Sequence, residues 1–195
     1  LVRRTFGLLI DGRTHMRHSF PLAYPGMRIG LFGGSFDPAH EGHAHVAETA
    51  LKRLGLDRVW WLVSPQNPLK PKSSPFKKRM KSARGFAHGP RMVVTDIEKK
   101  LGCGYTYQTI RALRAFYPGV SFILVMGADN LANFCQWRNW REVAAALPVA
   151  IISRPGVSPA KRLSAQKRWV FLNARHHPQA STALRQAAVA KKARK

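Results

Sequence analysis

The chain has 195 residues, 45% of them hydrophobic, and 33 lysines and arginines against 9 acidic residues give it a formal net charge of +24. This length and apolar content predict a single folded domain, and the absence of any apolar run of about 18 residues argues against a membrane partner. The positive charge predicts polyanionic partners, either nucleotides or nucleic acid.

Part of the positive charge lies near the two ends of the chain, which flank a region with clear secondary-structure patterns. We expect residues 1–27 to form a poorly ordered N-terminal extension and residues 191–195 to form a solvated basic tail. Residues 28–190 are then the folded domain. Met27 stands where this domain begins and is a candidate start residue.

Apolar runs and amphipathic stretches alternate along the domain. The continuous apolar runs predict buried strands at 29–32, 58–63, 92–94, 121–126, 149–153 and 169–172. Helical spacing predicts helices after residue 43 and at 76–86, 105–116, 140–147 and 181–190. Uniformly apolar strands that alternate with helices are typical of a parallel sheet covered on both faces. We therefore expect a single-domain α/β fold with a Rossmann-like, doubly wound parallel sheet.

Three local details accompany these predicted elements. Thr106 is a candidate N-cap for the helix at 105–116, and the basic run 77–82 is expected to be a solvated helix face. Ligands of doubly wound sheets bind beyond the carboxyl ends of the strands. The loops that follow strands should gather there, namely 33–43, 64–75, 127–137 and 153–156.

The turn between the first strand and the first helix carries the most informative motif, G-G-S-F-D-P-A-H-E-G-H, with His40 and His43 at the helix entrance. Glycines allow close approach to the backbone, and the free N–H groups of a helix N-terminus attract an anion. The motif lacks the Lys-Ser or Lys-Thr of a P-loop and the three glycines of the dinucleotide fingerprint. The residues expected to shape it and contact phosphate are Gly33, Gly34, Ser35 and Phe36.

The two histidines allow two interpretations, metal binding and phosphate contact. No third ligand with metal spacing accompanies them, which favours phosphate. Donors at this place can stabilise the charge that develops when one phosphate attacks another, a reaction that needs no protein nucleophile. We therefore expect His40 and His43 to be catalytic and predict no protein-held metal.

Two further constellations have both a functional and an ordinary interpretation. Asp129 follows the strand at 121–126, where it either binds a ribose or caps the next helix. Ser181 and Thr182 open the last predicted helix, with Arg185 one turn further along. This group either grips phosphates or is an ordinary cap with a surface arginine.

The two cysteines, Cys103 and Cys135, do not form a C-x-x-C pair. This indicates two free thiols, buried or half-buried, rather than a disulfide framework. Free thiols fit a reducing, cytoplasmic location.

The turn matches the pattern G-G-x-F-D-P-x-H-x-G-H and therefore resembles the nucleotidylyltransferase family, in particular the bacterial nicotinate-nucleotide adenylyltransferases. The resemblance covers about residues 28–186. Gly104-Tyr105-Thr106 is similar to the S-Y-T of this branch, and Trp137 matches its pyridine-stacking tryptophan, with Trp140 as a competitor. Further similarities are Ser153-Arg154-Pro155-Gly156 to R-R-P-G and Gln179 to Arg185 to I-S-S-T-x-x-R, in which Gln179 and Ala180 depart from the pattern.

The resemblance implies transfer of AMP from ATP to nicotinate mononucleotide, which forms deamido-NAD and pyrophosphate in NAD biosynthesis. It implies that Mg²⁺ accompanies ATP and that Ser181, Thr182 and Arg185 hold the triphosphate. It assigns Asp129 to the adenosine, and it assigns the pyridine nucleotide to Tyr105, Thr106, Trp137 and Arg154. The alternatives are a pantetheine-phosphate adenylyltransferase, another nucleotidylyltransferase such as a cytidylyltransferase, and a basic nucleic-acid-binding protein. The sequence fixes neither the oligomeric state nor the preference between nicotinate and nicotinamide mononucleotide.

Overall fold

The computed structural model describes residues 20–66, 73–153 and 169–173. The strands are Arg28–Gly34 (β1), Arg58–Val63 (β2), Met92–Thr95 (β3), Ser121–Gly127 (β4), Val149–Ser153 (β5) and Trp169–Asn173 (β6). The helices are Glu41–Arg53 (α1), Phe76–Arg84 (α2), Ile97–Lys100 (α3), Thr106–Phe116 (α4), Ala128–Leu131 (α5) and Trp140–Ala146 (α6), with a 3₁₀ turn at Phe134–Gln136. Within these ranges, no helix has both the length and the apolar character needed to cross a bilayer.

The strands form one sheet in the order β3-β2-β1-β4-β5-β6, and every neighbouring pair is parallel. The predicted Rossmann-like α/β fold is therefore confirmed. The chain proceeds outward from β1 in one direction up to β3 and then returns to β4 on the other side of β1. Strand order thus reverses between β1 and β4, and this reversal leaves a crevice at their carboxyl ends.

Each face of the sheet supports its own hydrophobic core, because side chains of a strand alternate between faces. Leu31 of β1 belongs to the core under α4 and α6, whereas Phe32 belongs to the core under α1 and α2. Gly30 is required by the second core: a Cβ atom there would lie 2.8 Å from Leu56 and 3.2 Å from Val125. The absence of a side chain at Gly30 therefore lets Leu56, which follows α1, pack close to the sheet.

The structure differs from the predicted elements in small details. The helices α3 and α5 and the 3₁₀ turn were not predicted, because three or four residues are too few to show a period. The proposed Thr106 cap is wrong, because the extended residue Tyr105 is the N-cap and Thr106 is already helical. The Gln108 side chain accepts hydrogen bonds from the backbone N–H groups of Tyr105 (3.1 Å) and Gly104 (3.0 Å) instead. The predicted helix at 181–190 lies outside the described residues.

Residues 20–27, the last part of the predicted extension, pack against the domain. The Phe20 ring is buried and lies edge-on at 4.9 Å from Phe116. The Tyr117 hydroxyl donates a hydrogen bond of 2.8 Å to the Pro21 carbonyl. This segment therefore covers the end of α4, while residues 1–19 lie outside the described ranges.

Both cysteines are free thiols, as predicted, but their exposure differs. Cys103 is buried after α3. The expectation that Cys135 is at least half-buried is wrong, because the 3₁₀ turn directs Phe134 into the core and leaves Cys135 exposed.

Candidate active site

A cleft of about 600 Å³ opens at the carboxyl ends of β1 and β4. It brings together residues from several elements, as the topology predicts. The predicted site residues that line it are Gly33, Gly34, Ser35, Phe36, His40, His43, Tyr105, Thr106, Asp129 and Trp137. The other predicted site residues lie outside the described ranges: Arg154, Ser181, Thr182 and Arg185.

The two histidines fix each other at the start of α1. His40 is the N-cap, and its Nδ1 accepts a hydrogen bond of 3.0 Å from the Gly42 N–H. The Nδ1 of His43 accepts a hydrogen bond of 3.3 Å from the His40 N–H, and the ring centroids are 4.0 Å apart. A nitrogen that accepts carries no proton, so this network assigns the proton of each neutral ring to Nε2. Both imidazoles therefore have a donor on the nitrogen that the helix start does not use.

Phe36 supports this turn with a buried ring and has a strained backbone conformation. Phe36 is 1% exposed and has a φ of +48°, which a bulky residue adopts only when packing enforces it. Its ring lies 5.1 Å from Trp61 and 5.2 Å from His43. A Cβ atom at Gly34 would lie 3.0 Å from the Phe36 ring, so this glycine makes room for it. The aromatic contacts thus hold the His43 ring in place.

Gly33 has a different reason to be glycine. A Cβ atom added there would meet no protein atom within 4 Å, and the residue lines the cleft. The protein itself therefore does not require the small side chain. The absence of a side chain at Gly33 leaves space in the cleft beside the turn, which is of a type that binds phosphate.

Arg79 connects this turn to the neighbouring loops through hydrogen bonds. It is 2% exposed, and burial lowers its pKa while Asp37 opposes that change. Its guanidinium donates to the carbonyl oxygens of Ser35 (3.0 Å), Ser64 (2.7 Å), Pro65 (2.7 Å) and Ser74 (2.9 Å). The expectation that the run 77–82 is solvated is therefore wrong at Arg79, because α2 turns this side chain inward beneath the loops.

The opposite side of the cleft is aromatic. Tyr105 precedes α4, and the Arg138 guanidinium lies over its ring at 5.0 Å from the centroid. Trp137 and Trp140 both pack against the core, but only Trp137 lines the cleft. The ring of Trp140 is instead covered by the guanidinium of Arg141 at 4.8 Å. The structure thereby separates two tryptophans that the sequence leaves in competition.

Asp129 is exposed in the first turn of α5, directly beyond the end of β4. Its carboxylate folds back over Gly127, where a Cβ atom would collide with Oδ1. The glycine thus allows the carboxylate to stand at the mouth of the cleft, between β4 and the 3₁₀ turn. A carboxylate in this place can accept hydrogen bonds from the hydroxyls of a bound sugar.

Glu98 is a cleft residue that sequence reasoning missed. It is 8% exposed, and the Thr109 hydroxyl donates a hydrogen bond of 2.9 Å to its carboxylate. Burial raises the pKa of Glu98 to about 7, although hydrogen bonds from Thr109 and Ser64 oppose this. The one available signal was its position just after the carboxyl end of β3. Within the described ranges, no group of three potential metal-ligating side chains occurs near it or elsewhere.

The parallel sheet and the histidine turn at its crevice define the class of nucleotidyltransferases, and residues 31–187 match the family described as cytidylyltransferase-like. A relative from Roseobacter denitrificans, named "Probable nicotinate-nucleotide adenylyltransferase", is 52% identical over 193 residues, which cover 87% of this chain and 97% of the relative. A relative of the same name from a Caulobacter species is 56% identical over 151 residues, which cover 73% of this chain and 80% of the relative. The chain therefore belongs to the nicotinate-nucleotide adenylyltransferase family.

Solved structures support the fold assignment. The Plasmodium falciparum nicotinic acid mononucleotide adenylyltransferase, complexed with NaAD, has a TM-score of 0.64 to this chain at 18% identity. The match covers 80% of this chain and 78% of the other. At this identity the similarity concerns the fold alone, which is the same doubly wound sheet.

Proposed function

We propose that this chain transfers the AMP part of ATP to nicotinate mononucleotide, which forms deamido-NAD and pyrophosphate. The observation that carries the proposal is the pair of mutually fixed imidazoles, His40 and His43, in the same cleft as Tyr105 and Trp137. Membership of the nicotinate-nucleotide adenylyltransferase family supports the choice of both substrates.

The chemistry is a direct displacement at phosphorus. An oxygen of the acceptor phosphate attacks the α-phosphorus of ATP and forms the new P–O bond. The bond from the α-phosphorus to the bridging oxygen breaks, and pyrophosphate leaves with that electron pair. The protein supplies no nucleophile, so its task is to align the groups and stabilise the charge on the oxygens. The Nε2–H groups of His40 and His43 are suited to this, because the hydrogen bonds at Nδ1 fix both rings.

The rest of the cleft divides between the two substrates. Gly33, Gly34, Ser35 and Phe36 shape the turn that receives the phosphates, and Asp129 accepts hydrogen bonds from a ribose. On the other side, Tyr105, Thr106 and Trp137 receive the pyridine nucleotide, since a flat aromatic ring suits a stacking partner. From the family pattern we assign Arg154 to the pyridine nucleotide and Ser181, Thr182 and Arg185 to the triphosphate.

We assign Mg²⁺ to ATP rather than to a protein cage. Mg²⁺ keeps several waters and is often held by substrate phosphates with one or two carboxylates. Asp129 lines the described cleft as a single carboxylate, which fits an ion that arrives with the triphosphate. The ion would neutralise phosphate charge, while His40 and His43 would supply directed donors.

We also propose that the protein works in the cytoplasm. Its two cysteines are free, and Cys135 is exposed to solvent. An exposed thiol remains reduced in a compartment with a glutathione or thioredoxin pool.

The test is a turnover assay that measures pyrophosphate release with a panel of substrates. ATP with nicotinate mononucleotide should be turned over, whereas pantetheine phosphate as acceptor, or CTP as donor, should give little product. Activity restricted to pantetheine phosphate, or strict preference for CTP, would contradict the proposal. A folded chain that turns over none of these pairs would contradict it as well.

A further inference from the structure

Arg138 places a positive charge on the acceptor side of the cleft. It follows Trp137 directly and lines the same part of the cleft as Tyr105. Its side chain is exposed, but the guanidinium lies over the Tyr105 ring, 5.0 Å from the ring centroid. This cation–π contact orients a side chain that would otherwise sample many rotamers.

This arginine differs from two others in its neighbourhood that also lie over aromatic rings. Arg111 forms an ion pair with Glu142, so its charge is already compensated. Arg141 lies over Trp140 and does not line the cleft. Among the residues that the structure describes, no carboxylate forms an ion pair with Arg138. Its charge is therefore available to a bound anion.

Resting on the proposed function, we propose that Arg138 is a specificity-determining residue that selects a pyridine nucleotide with a ring carboxylate over one with a ring carboxamide. A guanidinium is permanently charged and only donates, and it can form two parallel hydrogen bonds with a carboxylate. A carboxamide offers only one neutral oxygen as an acceptor. Its NH₂ group is a donor, and Arg138 has no acceptor for it. Both the charge and the donor pattern therefore favour the acid.

A contact to the acceptor phosphate is the competing role for the same charge. The phosphate is common to nicotinate and nicotinamide mononucleotide, so losing such a contact would weaken both acceptors equally. A contact to the ring substituent changes only the acid. The ratio of the two specificity constants therefore separates the roles.

The experiment measures kcat/KM for both acceptors at saturating ATP, with the full-length wild-type chain, Arg138→Gln, Arg138→Lys and Arg141→Gln. Arg138→Gln should lower the ratio of nicotinate to nicotinamide mononucleotide about tenfold, mainly through KM for the acid, since a charge-assisted pair is lost. Arg138→Lys should lose less, because it keeps the charge. Arg141→Gln is the matched control and should leave the ratio unchanged.

The outcomes keep this inference distinct from the proposed function. If wild-type chain uses nicotinate mononucleotide and Arg138→Gln reduces both acceptors equally or neither, the assignment of Arg138 is overturned and the proposed function stands. An equal fall of the ratio in Arg141→Gln would also overturn it, since any nearby charge would then suffice. A folded wild-type chain with no turnover of either acceptor would overturn the proposed function, and the inference with it.

Discussion

The two sides of the cleft are built in different ways. On the turn side, His40 is 2% exposed and Phe36 is 1% exposed, and backbone hydrogen bonds and ring packing fix both. On the acceptor side, Trp137 is half-buried and Arg138 is exposed, and a contact with the Tyr105 ring orients the Arg138 guanidinium. We therefore expect chemistry to depend on the rigid side, and acceptor choice to depend on side chains that can change without disturbing the fold.

The largest expected effect comes from His43→Ala on the turn side. Loss of one donor to the transition state should lower kcat about 100- to 1000-fold. The fold should survive, because the lost bond to the His40 N–H costs on the order of 1 kcal/mol at a helix start. The control is His88→Ala, since His88 is exposed and outside the cleft. Near-normal turnover by a folded His43→Ala variant would refute the role of the turn.

Gly33→Ala tests whether a ligand occupies the open space beside this residue. The new methyl group meets no protein atom, so the free energy of unfolding should change by less than about 0.5 kcal/mol. The methyl group enters the space of the ligand, and misplacing the phosphates should lower kcat/KM on the order of tenfold to 100-fold.

Gly34→Ala is the matched contrast for Gly33→Ala. Here the methyl group presses on the Phe36 ring, so stability should fall by about 1–3 kcal/mol. Equilibrium unfolding in urea together with the turnover assay separates the two variants. If Gly33→Ala is fully active, the open space beside Gly33 is not used by a ligand.

Trp137→Leu tests the acceptor side. Removal of the aromatic ring should raise KM for nicotinate mononucleotide about tenfold, with little change in KM for ATP. Trp140→Leu is the control, because Trp140 packs on the core outside the cleft and should change stability more than KM. Equal effects of the two variants on KM for the acceptor would contradict the separation of the two tryptophans.

The smallest effect on turnover is expected from Glu98→Gln. This substitution should instead change how the free energy of unfolding depends on pH. The pKa of Glu98 is about 7 in the folded chain, above its ordinary value of 4.5. The folded state therefore binds the proton more tightly, and the contribution of Glu98 to stability falls as pH rises from about 4.5 to about 7. Between about pH 5 and pH 8, wild-type chain should lose on the order of 2 kcal/mol relative to Glu98→Gln. Parallel pH profiles of unfolding for the two chains would contradict this.

The sequence predicts those features that depend on local pattern and on topology. The residues of the turn at 33–43 are contiguous in the sequence, so their motif can be recognised directly. The strands are recognised as apolar runs. A parallel sheet built from them places the crevice at the carboxyl ends of the strands. Burial of a charged side chain depends instead on segments that are distant along the chain. Carbonyl groups from three loop segments surround the Arg79 guanidinium. The Glu98 carboxylate lies beside the hydroxyls of Thr109, in α4, and Ser64, which follows β2.

The acceptor side shows the same limit more sharply. Trp137 and Trp140 lie three positions apart, and only the resemblance to the family pattern favours Trp137, because local sequence pattern does not separate the two. The contact of Arg138 with Tyr105 joins two residues that are 33 positions apart along the chain. Such contacts are set by tertiary packing, and sequence pattern alone does not encode them in a readable form.

The most direct measurement is a crystal structure of the chain with a non-hydrolysable ATP analogue and Mg²⁺. We expect phosphate oxygens within about 3 Å of Nε2 on both His40 and His43, with each Nδ1 atom still accepting its hydrogen bond at the helix start. A complex in which the analogue binds with its phosphates away from both imidazoles, or in which the two rings ligate the metal, would contradict it.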